Sequence, residues 1–505
     1  MQIHFPLLSL IVFLPLIGSF FVLGLRNRTA MHYTALITTL ATFALSLIPL
    51  IYFNPELSGF QFQESLPWIP AWGISYHLGI DGLSLFLLPL TGFLSVLAVL
   101  VSWKRITFKE RAYFFSFLIL ETGMLGVFVS LDTILFYVFW EAMLIPMFLI
   151  IGIWGSANRR YAAVKFLIYT MAGSIFMLIA MIFMASYTKQ YGGDLSFDIT
   201  VWTQLNLPEN IQYWLFAAFF IAFAIKVPIF PFHTWLPDAH VEAPTAGSVL
   251  LAGVLLKMGV YGILRFCFPL FPDAVRYFTP AIMFLGLIGI IYAAFVAFAQ
   301  TDLKKLIAYS SVCHMGLIVI GIFAANQTGI EGGILQMVNH GLSTGALFIL
   351  VGALYERTGT RNMELMGGLA RRVPVLAAFF MIVTLSSIGL PGLNGFIGEF
   401  FLLLAAFRFN WWLGALSATT MVLGAIYMLW MYQRVMFEKS RAPGEKTFSD
   451  FSLRENIVMV PVIIMFLFIG LYPSFFLDRL NKISSVLVAD VNRSAIVETM
   501  SSGEK

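Results

Sequence analysis

The stretch "LPGLNGFIGEFFLLL" (Leu390–Leu404) is almost wholly apolar, holds one proline and three glycines, and carries a single carboxylate, Glu399. It closes an apolar run over 374–406 that is too long for one straight helix across a bilayer core, which takes about 20 residues. Pro391 and the glycines therefore predict a span broken within the membrane. Irregular backbone at that depth persists only where protein or a water-lined space satisfies it. The break and the acid read as parts of one polar feature inside a membrane protein.

Composition agrees with that reading. Of the 505 residues, 60% are hydrophobic and only 11% charged, whereas a soluble globular chain carries roughly 25% charged residues. Apolar runs recur from end to end, predicting an all-α polytopic membrane protein of about fourteen transmembrane helices. The expected spans are 3–25, 32–53, 83–103, 112–130, 132–153, 161–186, 212–231, 245–268, 277–299, 303–324, 330–355, 374–406, 411–437 and 455–477. The first lacks a basic leader and a small-residue cleavage site, so it reads as a retained helix. Cys267 and Cys313 fall in separate runs and form no CxxC, which leaves no ligand set for a cysteine cluster or a structural zinc. Neither a G-x-G-x-x-G nor a Walker A sequence is present. No cofactor or metal is expected in this chain.

Lysines and arginines set the expected orientation. With the N-terminus outside, the inner loops carry Arg26 and Arg28, the Lys104–Arg111 group, Arg159 and Arg160, Lys304 and Lys305, Arg357–Arg372, and Lys439, Arg441, Lys446 and Arg454. The outer segments hold only Lys189, Arg276, Arg408, Arg479, Lys482, Arg493 and Lys505. Both termini are expected outside, on the periplasmic face of a bacterial inner membrane.

Several ionisable residues remain within the spans. A charge at mid-bilayer costs roughly 2.5–3.5 kcal/mol on insertion scales, so such residues are paired, hydrated or used. Glu141, in "LFYVFWEAMLIPMF", sits midway along its helix, and Glu121 lies nearly as deep in the helix before it. A protonated acid bonded to a neighbouring helix is the plain structural alternative for Glu141. Placed side by side, the two carboxylates would share a proton. Lys226 stands two residues before Pro228 at a second expected break, and Lys257 is equally deep in the next helix. Lysines so placed are too deep for simple snorkelling, and a lysine held away from water gives up its proton readily. His314 and His340 are intramembrane too, where a lone histidine commonly serves as an interhelical hydrogen bonder. Lys165 and Arg265 are expected near membrane faces, paired with loops, and Arg434 as a snorkelling anchor. The acids and bases at similar depth on successive helices read together as an ion path along the membrane plane, for protons.

Spans four to eight and nine to thirteen make two five-helix units. An odd number of spans turns the second copy upside down, the inverted-repeat plan of transporters. The fourth helix of each is the broken one, and "YTMAGSIFMLI" (169–179) faintly echoes "HGLSTGALFILV" (340–351). The expected division is an N-terminal three-helix segment (1–111), a first repeat (112–268), a second, inverted repeat (269–437), and a final helix with a C-terminal tail (438–505).

The runs "FWEAMLIPMFLIIGIWG" (139–155), "FAIKVPIFPFHTWLPDAHVEAPTAGSVLLAGVLLKMGVYG" (223–262), "DLKKLIAYSSVCHMG" (302–316) and "LPGLNGFIGEF" (390–400) resemble the antiporter-like subunits of proton-pumping NADH:quinone oxidoreductase, respiratory complex I. The resemblance covers nearly the whole chain. It is closest to the M type, the counterpart of mitochondrial subunit 4, because the paralogues carry lysine where this chain has Glu399. It implies that Glu141 pairs with Lys226, that Lys257 is the connecting lysine, that Glu399 is the terminal acid on the exit side, and that His314 and His340 bridge between them. It also implies a translocase whose FMN, iron–sulfur clusters and quinone site lie in other subunits. The implied partners are the other membrane subunits, including the paralogues, and lipid, with no nucleic acid. Subunits of multisubunit sodium/proton antiporters and membrane-bound hydrogenases share the helix plan; a stand-alone solute transporter is the alternative from another class.

Overall fold

The computed structural model describes residues 5–190, 193–439 and 448–502, the last ten of these by backbone alone. Arg441, Lys446 and Lys505, placed in loops above, lie outside the described residues, as do the first two positions of the expected span 3–25; the side chain of Arg493 is likewise not described.

Among the described residues, twelve helices are long and apolar enough to cross a membrane. Numbering membrane helices in chain order, they are α1 (Leu7–Gly24), α2 (Arg28–Tyr52), α3 (Gly82–Ser102), α4 (Glu110–Val129), α5 (Thr133–Trp154), α6 (Arg159–Gln190), α8 (Thr245–Leu270), α9 (Pro272–Phe298), α10 (Leu303–Phe323), α11 (Gln327–Thr358), α13 (Trp411–Met436) and α14 (Leu453–Leu471). The two remaining expected spans are the two interrupted ones. α7a (Glu209–Lys226) stops before Pro228 and resumes as α7b (Trp235–Glu242). α12a (Pro374–Ser387) stops before Pro391 and resumes as α12b (Asn394–Phe409).

Aspartates start two of the membrane helices. Asp132 accepts from the Ile134 and Leu135 amides at the head of α5, and Asp302 from those of Lys304 and Lys305 at the head of α10. Each satisfies amides that a helix start leaves without partners. The apolar windows of α8 and α11 are wholly buried and that of α10 nearly so, while those of α1, α2, α6, α13 and α14 are less than half buried. Lys257, His314 and His340 thus sit on the three most deeply buried of these helices.

Two elements are additions to the sequence reading. The first long loop forms an antiparallel hairpin, Gln61–Ile69 paired with Ile74–Ile80, turning at Gly73 with φ of 64°. Glu64 of this hairpin caps the start of α1 by accepting from the Leu8 and Ser9 amides. The expected C-terminal tail is instead a long helix, α15 (Ser474–Ser502), laid across the ends of α3, α8, α9 and α11. Its polar face kept it below the threshold of a span, and its apolar face is what holds it down: Phe476, Leu480, Leu487 and Val491 are buried.

Candidate functional site: a buried polar row

α8 is the axis of the site, and two wide turns interrupt its regular pitch. Residues Leu251–Leu255 and Ile263–Cys267 are π-helical, a form that concentrates at functional sites because it releases backbone groups from their usual partners. Here the Ala252 carbonyl accepts from Nζ of Lys257. The same ammonium stands 2.7 Å from Nδ1 of His340 on α11. That approach depends on a close crossing of α8 and α11: a Cβ on Gly341 would lie 2.8 Å from the Gly253 carbonyl. Small residues allow helix backbones to meet in this way.

From His340 the row continues to α10 and α12b. The His314 and His340 ring centres are 5.7 Å apart, and Nδ1 of His314 is 3.1 Å from Oε1 of Glu399, at an angle short of a hydrogen bond. Gln336 donates to the same oxygen at 3.4 Å and accepts from Asn339 at 3.3 Å. Asn394, at the start of α12b, donates to the Asn339 carbonyl and to Ser343, and accepts from Ser386 at 2.6 Å. These side chains surround a small polar cavity lined also by Ser310 and Thr344. Glu399 is 1% exposed and Lys257 fully buried, so protein rather than bulk solvent supplies their surroundings.

The break in α12 shapes the acid's site. Gly389 takes φ of +72°, and a Cβ there would meet Oε2 of Glu399 at 2.7 Å. A glycine is thus needed twice over, for a left-handed turn and for the close approach of the carboxylate. Glu399 itself lies in the restarted helix, just beyond the break.

At the other broken helix the contacts are looser. Lys226 ends α7a with Nζ over the rings of Trp140 and Phe166, at 5.2 and 5.5 Å, and has no hydrogen-bond partner among the described residues. The Ile225 carbonyl freed by the break is taken by the Trp235 indole at 2.8 Å. Glu141 acts on Lys226 by charge, yet no hydrogen bond or ion pair joins them, and Oε1 of Glu141 is unpartnered. The pair is open. Glu121 and Glu141 do not form the expected couple: Ser95 of α3 stands beside Glu121, whereas Glu141 has Ser174 and Lys226 for neighbours. Helix direction explains the correction, since sequence depth alone leaves open which face of α4 or α5 a carboxylate occupies.

Each of the peripheral charges has a partner. Lys165 pairs with Asp238 of α7b at 2.7 Å. Arg265 is held by both oxygens of Asp81 at 2.6 Å, and Arg434 lies over Trp430 and near Glu438.

Three buried groups escaped the sequence reading. Lys304, counted above among loop cations, is 5% exposed and donates to the Ala243 carbonyl at 2.6 Å. His240 is fully buried against Phe348 with both ring nitrogens unpartnered, and Lys304 and Lys257 are the charges that act on it. His233, in the α7 break, has both nitrogens unpartnered and packs against Tyr292. The spacing of Gln336, Asn339, His340 and Ser343 does announce one polar face of α11. Lys304 gives no such signal, because a helix-start lysine and a loop lysine look alike in sequence.

Residues 130–424 match the family described as NADH:quinone oxidoreductase/Mrp antiporter, TM. The chain belongs to this family. Within it, a Rhodobacter capsulatus protein named NADH-quinone oxidoreductase subunit M is 46% identical over 499 residues, covering 95% of this chain and 96% of its own. A Marchantia polymorpha protein named NADH-ubiquinone oxidoreductase chain 4 is 44% identical over 484 residues, covering 95% and 97%. Among solved structures, a chain of respiratory complex I from Thermus thermophilus with bound NADH superposes with a TM-score of 0.88 at 32% identity, over 96% of this chain and 99% of that one. The matched region runs from the start of α5 into α13, and so takes in both broken helices and the polar row.

Proposed function

We propose that the chain is the M-type, antiporter-like membrane subunit of NADH:quinone oxidoreductase, and that it carries protons along the row from Lys226 to Glu399. The observation that supports this most directly is the near-continuous file Lys257–His340–His314–Glu399 through the buried interior of the bundle. Each member can hold or release a proton, and Gln336, Asn339 and Asn394 can reorient to bridge the end of the file.

In this reading the drive comes from quinone reduction in other subunits, where the FMN and iron–sulfur clusters reside. The signal reaches Lys226 through Glu141. Closing the open pair stabilises the ammonium of Lys226, and opening it releases the proton toward Lys257. Lys304 and His240 offer a feed to Lys257 from the end of the bundle that carries the basic loops. Glu399 releases the proton on the opposite side. The two broken helices are then equivalent members of inverted repeats, 112–268 and 269–437, in a bacterial inner membrane with both termini periplasmic.

The test is NADH-driven proton pumping by the assembled complex carrying Lys257→Met or Glu399→Gln. Wild-type pumping in either variant would refute the relay. A second reading, a subunit of an Mrp-type sodium/proton antiporter, is favoured by the family description, which spans both assemblies. Co-purification decides between them: NADH-oxidising subunits support the first, and their replacement by antiporter subunits the second.

A further inference from the structure

A second cavity lies away from the row, at the hairpin end of the bundle. It has a volume of about 400 Å³ and is walled by the loop after α2, the ends of α3 and α8, the 199–204 turn and α15. Its two sides differ in chemistry. One is apolar, formed by Phe53, Leu57, Leu264, Val486 and Leu487. The other presents Arg479 and Lys482, three residues apart on α15 and hence on one face of it, with the Asp490 carboxylate farther along the same helix.

The cations that line this space are not equivalent. Arg265 spends its guanidinium on Asp81 in a two-point ion pair, so it closes the floor without charge to spare. Arg479 donates to the Phe475 carbonyl and stacks on the Phe475 ring at 4.0 Å, but its Nε is shut off from solvent and has no partner among the described residues. A buried donor of this kind costs free energy until an acceptor reaches it. No ion pair engages Lys482 among the described residues. The cavity thus combines a mainly cationic edge, Arg479 and Lys482 with Asp490 beyond them, and an apolar wall of drug-sized volume.

We propose that this cavity is a phospholipid site, with the phosphodiester on Arg479 and Lys482 and an acyl chain along the Phe53–Leu57–Val486 wall. Its level in the molecule fits that occupant. It opens where α2 ends at Tyr52 and α8 ends at Leu270, and Ile51, Tyr52 and Leu57 beside it are 71%, 63% and 56% exposed. Headgroups lie at that depth, and an exposed apolar collar leads an acyl chain in from the bilayer. The bound lipid would tie α15 to the α2–α3 loop, two parts of the chain more than 400 residues apart in sequence.

The test counts lipids on the assembled complex. After reconstitution in phosphatidylglycerol and a delipidating wash, native mass spectrometry should show one more phospholipid retained by the parent than by Arg479→Gln/Lys482→Gln. Val486→Trp, which fills the apolar wall and leaves both cations, should lose the same lipid, and it decides the matter if the double variant does not assemble. Diacylglycerol, which lacks the phosphodiester, should not be retained. Equal retention by parent and variants overturns the site. Equal retention of diacylglycerol overturns recognition of the headgroup. Occupancy by inorganic phosphate without phosphatidylglycerol overturns a lipid as the occupant.

Discussion

Nζ of Lys257 and Nδ1 of His340 face each other at 2.7 Å across the α8–α11 crossing, with the Ala252 carbonyl as the lysine's other partner. One proton serves that contact at a time. When the ammonium donates, Nδ1 must be the bare nitrogen and the imidazole is neutral with its proton on Nε2. When the histidine is protonated at Nδ1, the lysine must be the neutral amine. The pair is therefore a two-position holder for a single proton.

Lys257→Met removes one position of that holder. NADH-driven proton pumping in inverted vesicles should fall by about a hundredfold, the lower end of the range for losing a positioned proton carrier. His340→Gln, which keeps an acceptor for the ammonium, should be milder. Equal pumping in Lys257→Met and the parent would remove Lys257 from the path.

Gly389→Ala tests the break around Glu399. A side chain at φ of +72° costs about 1–2 kcal/mol, and the new methyl would press on Oε2 of Glu399. Assembly should survive, while pumping falls in parallel with Glu399→Gln. A variant that pumps normally would show that the carboxylate has room the geometry denies it.

His240→Leu and Lys304→Met probe the feed from the basic-loop end. If His240 links Lys304 to Lys257, each single variant should slow pumping severalfold and the double should be no slower than the worse single, because both interrupt one route. Multiplying defects would place them on separate routes.

Asp81→Leu should leave Arg265 buried and unpaired, a loss of about 3–5 kcal/mol by the usual cost of breaking an interior ion pair. Thermal unfolding of the purified complex should fall accordingly. Asp81→Leu combined with Arg265→Met should recover most of the loss. Without that recovery, the pair would be doing more than neutralising itself.

The hairpin is fastened by an acid-sensitive clamp. Burial raises the Asp198 carboxyl, but hydrogen bonds from His77 and Thr200 outweigh it and hold the group below its ordinary value of 3.8. Its contribution to stability is complete above that value and is lost as pH falls through the lower, folded one. Protection factors of the 74–80 amides, exchange rates corrected for the intrinsic pH dependence, should be unchanged between pH 7 and 5 and fall only in strong acid. Asp198→Asn should abolish the acid step and speed exchange at neutral pH.

Much of this architecture could be read from residue order alone, and the exceptions have physical causes. Apolar run lengths gave the spans, and Pro228 and Pro391 marked both interruptions, because proline removes a backbone donor wherever it falls. The Lys257–His340–His314–Glu399 file was legible as a set of costly residues at one depth. What depth does not encode is azimuth. Glu121 and Glu141 are equally deep and face different neighbours, Ser95 in one case and Ser174 with Lys226 in the other. Lys304 was hidden by its position at a helix start, where only the packed Ala243 carbonyl reveals that it points inward. The hairpin was hidden in a loop whose strands are held by contacts distant in sequence, such as Glu64 on the start of α1.

The wide turns of α8 set a rotational register for the whole file. Each adds a residue without adding a regular turn, and one residue corresponds to about 100° around a helix axis. Winding Leu251–Leu255 at ordinary pitch with every residue kept would regularise the helix there. It would also swing Lys257 away from His340, so that a helix of more ideal form would no longer conduct.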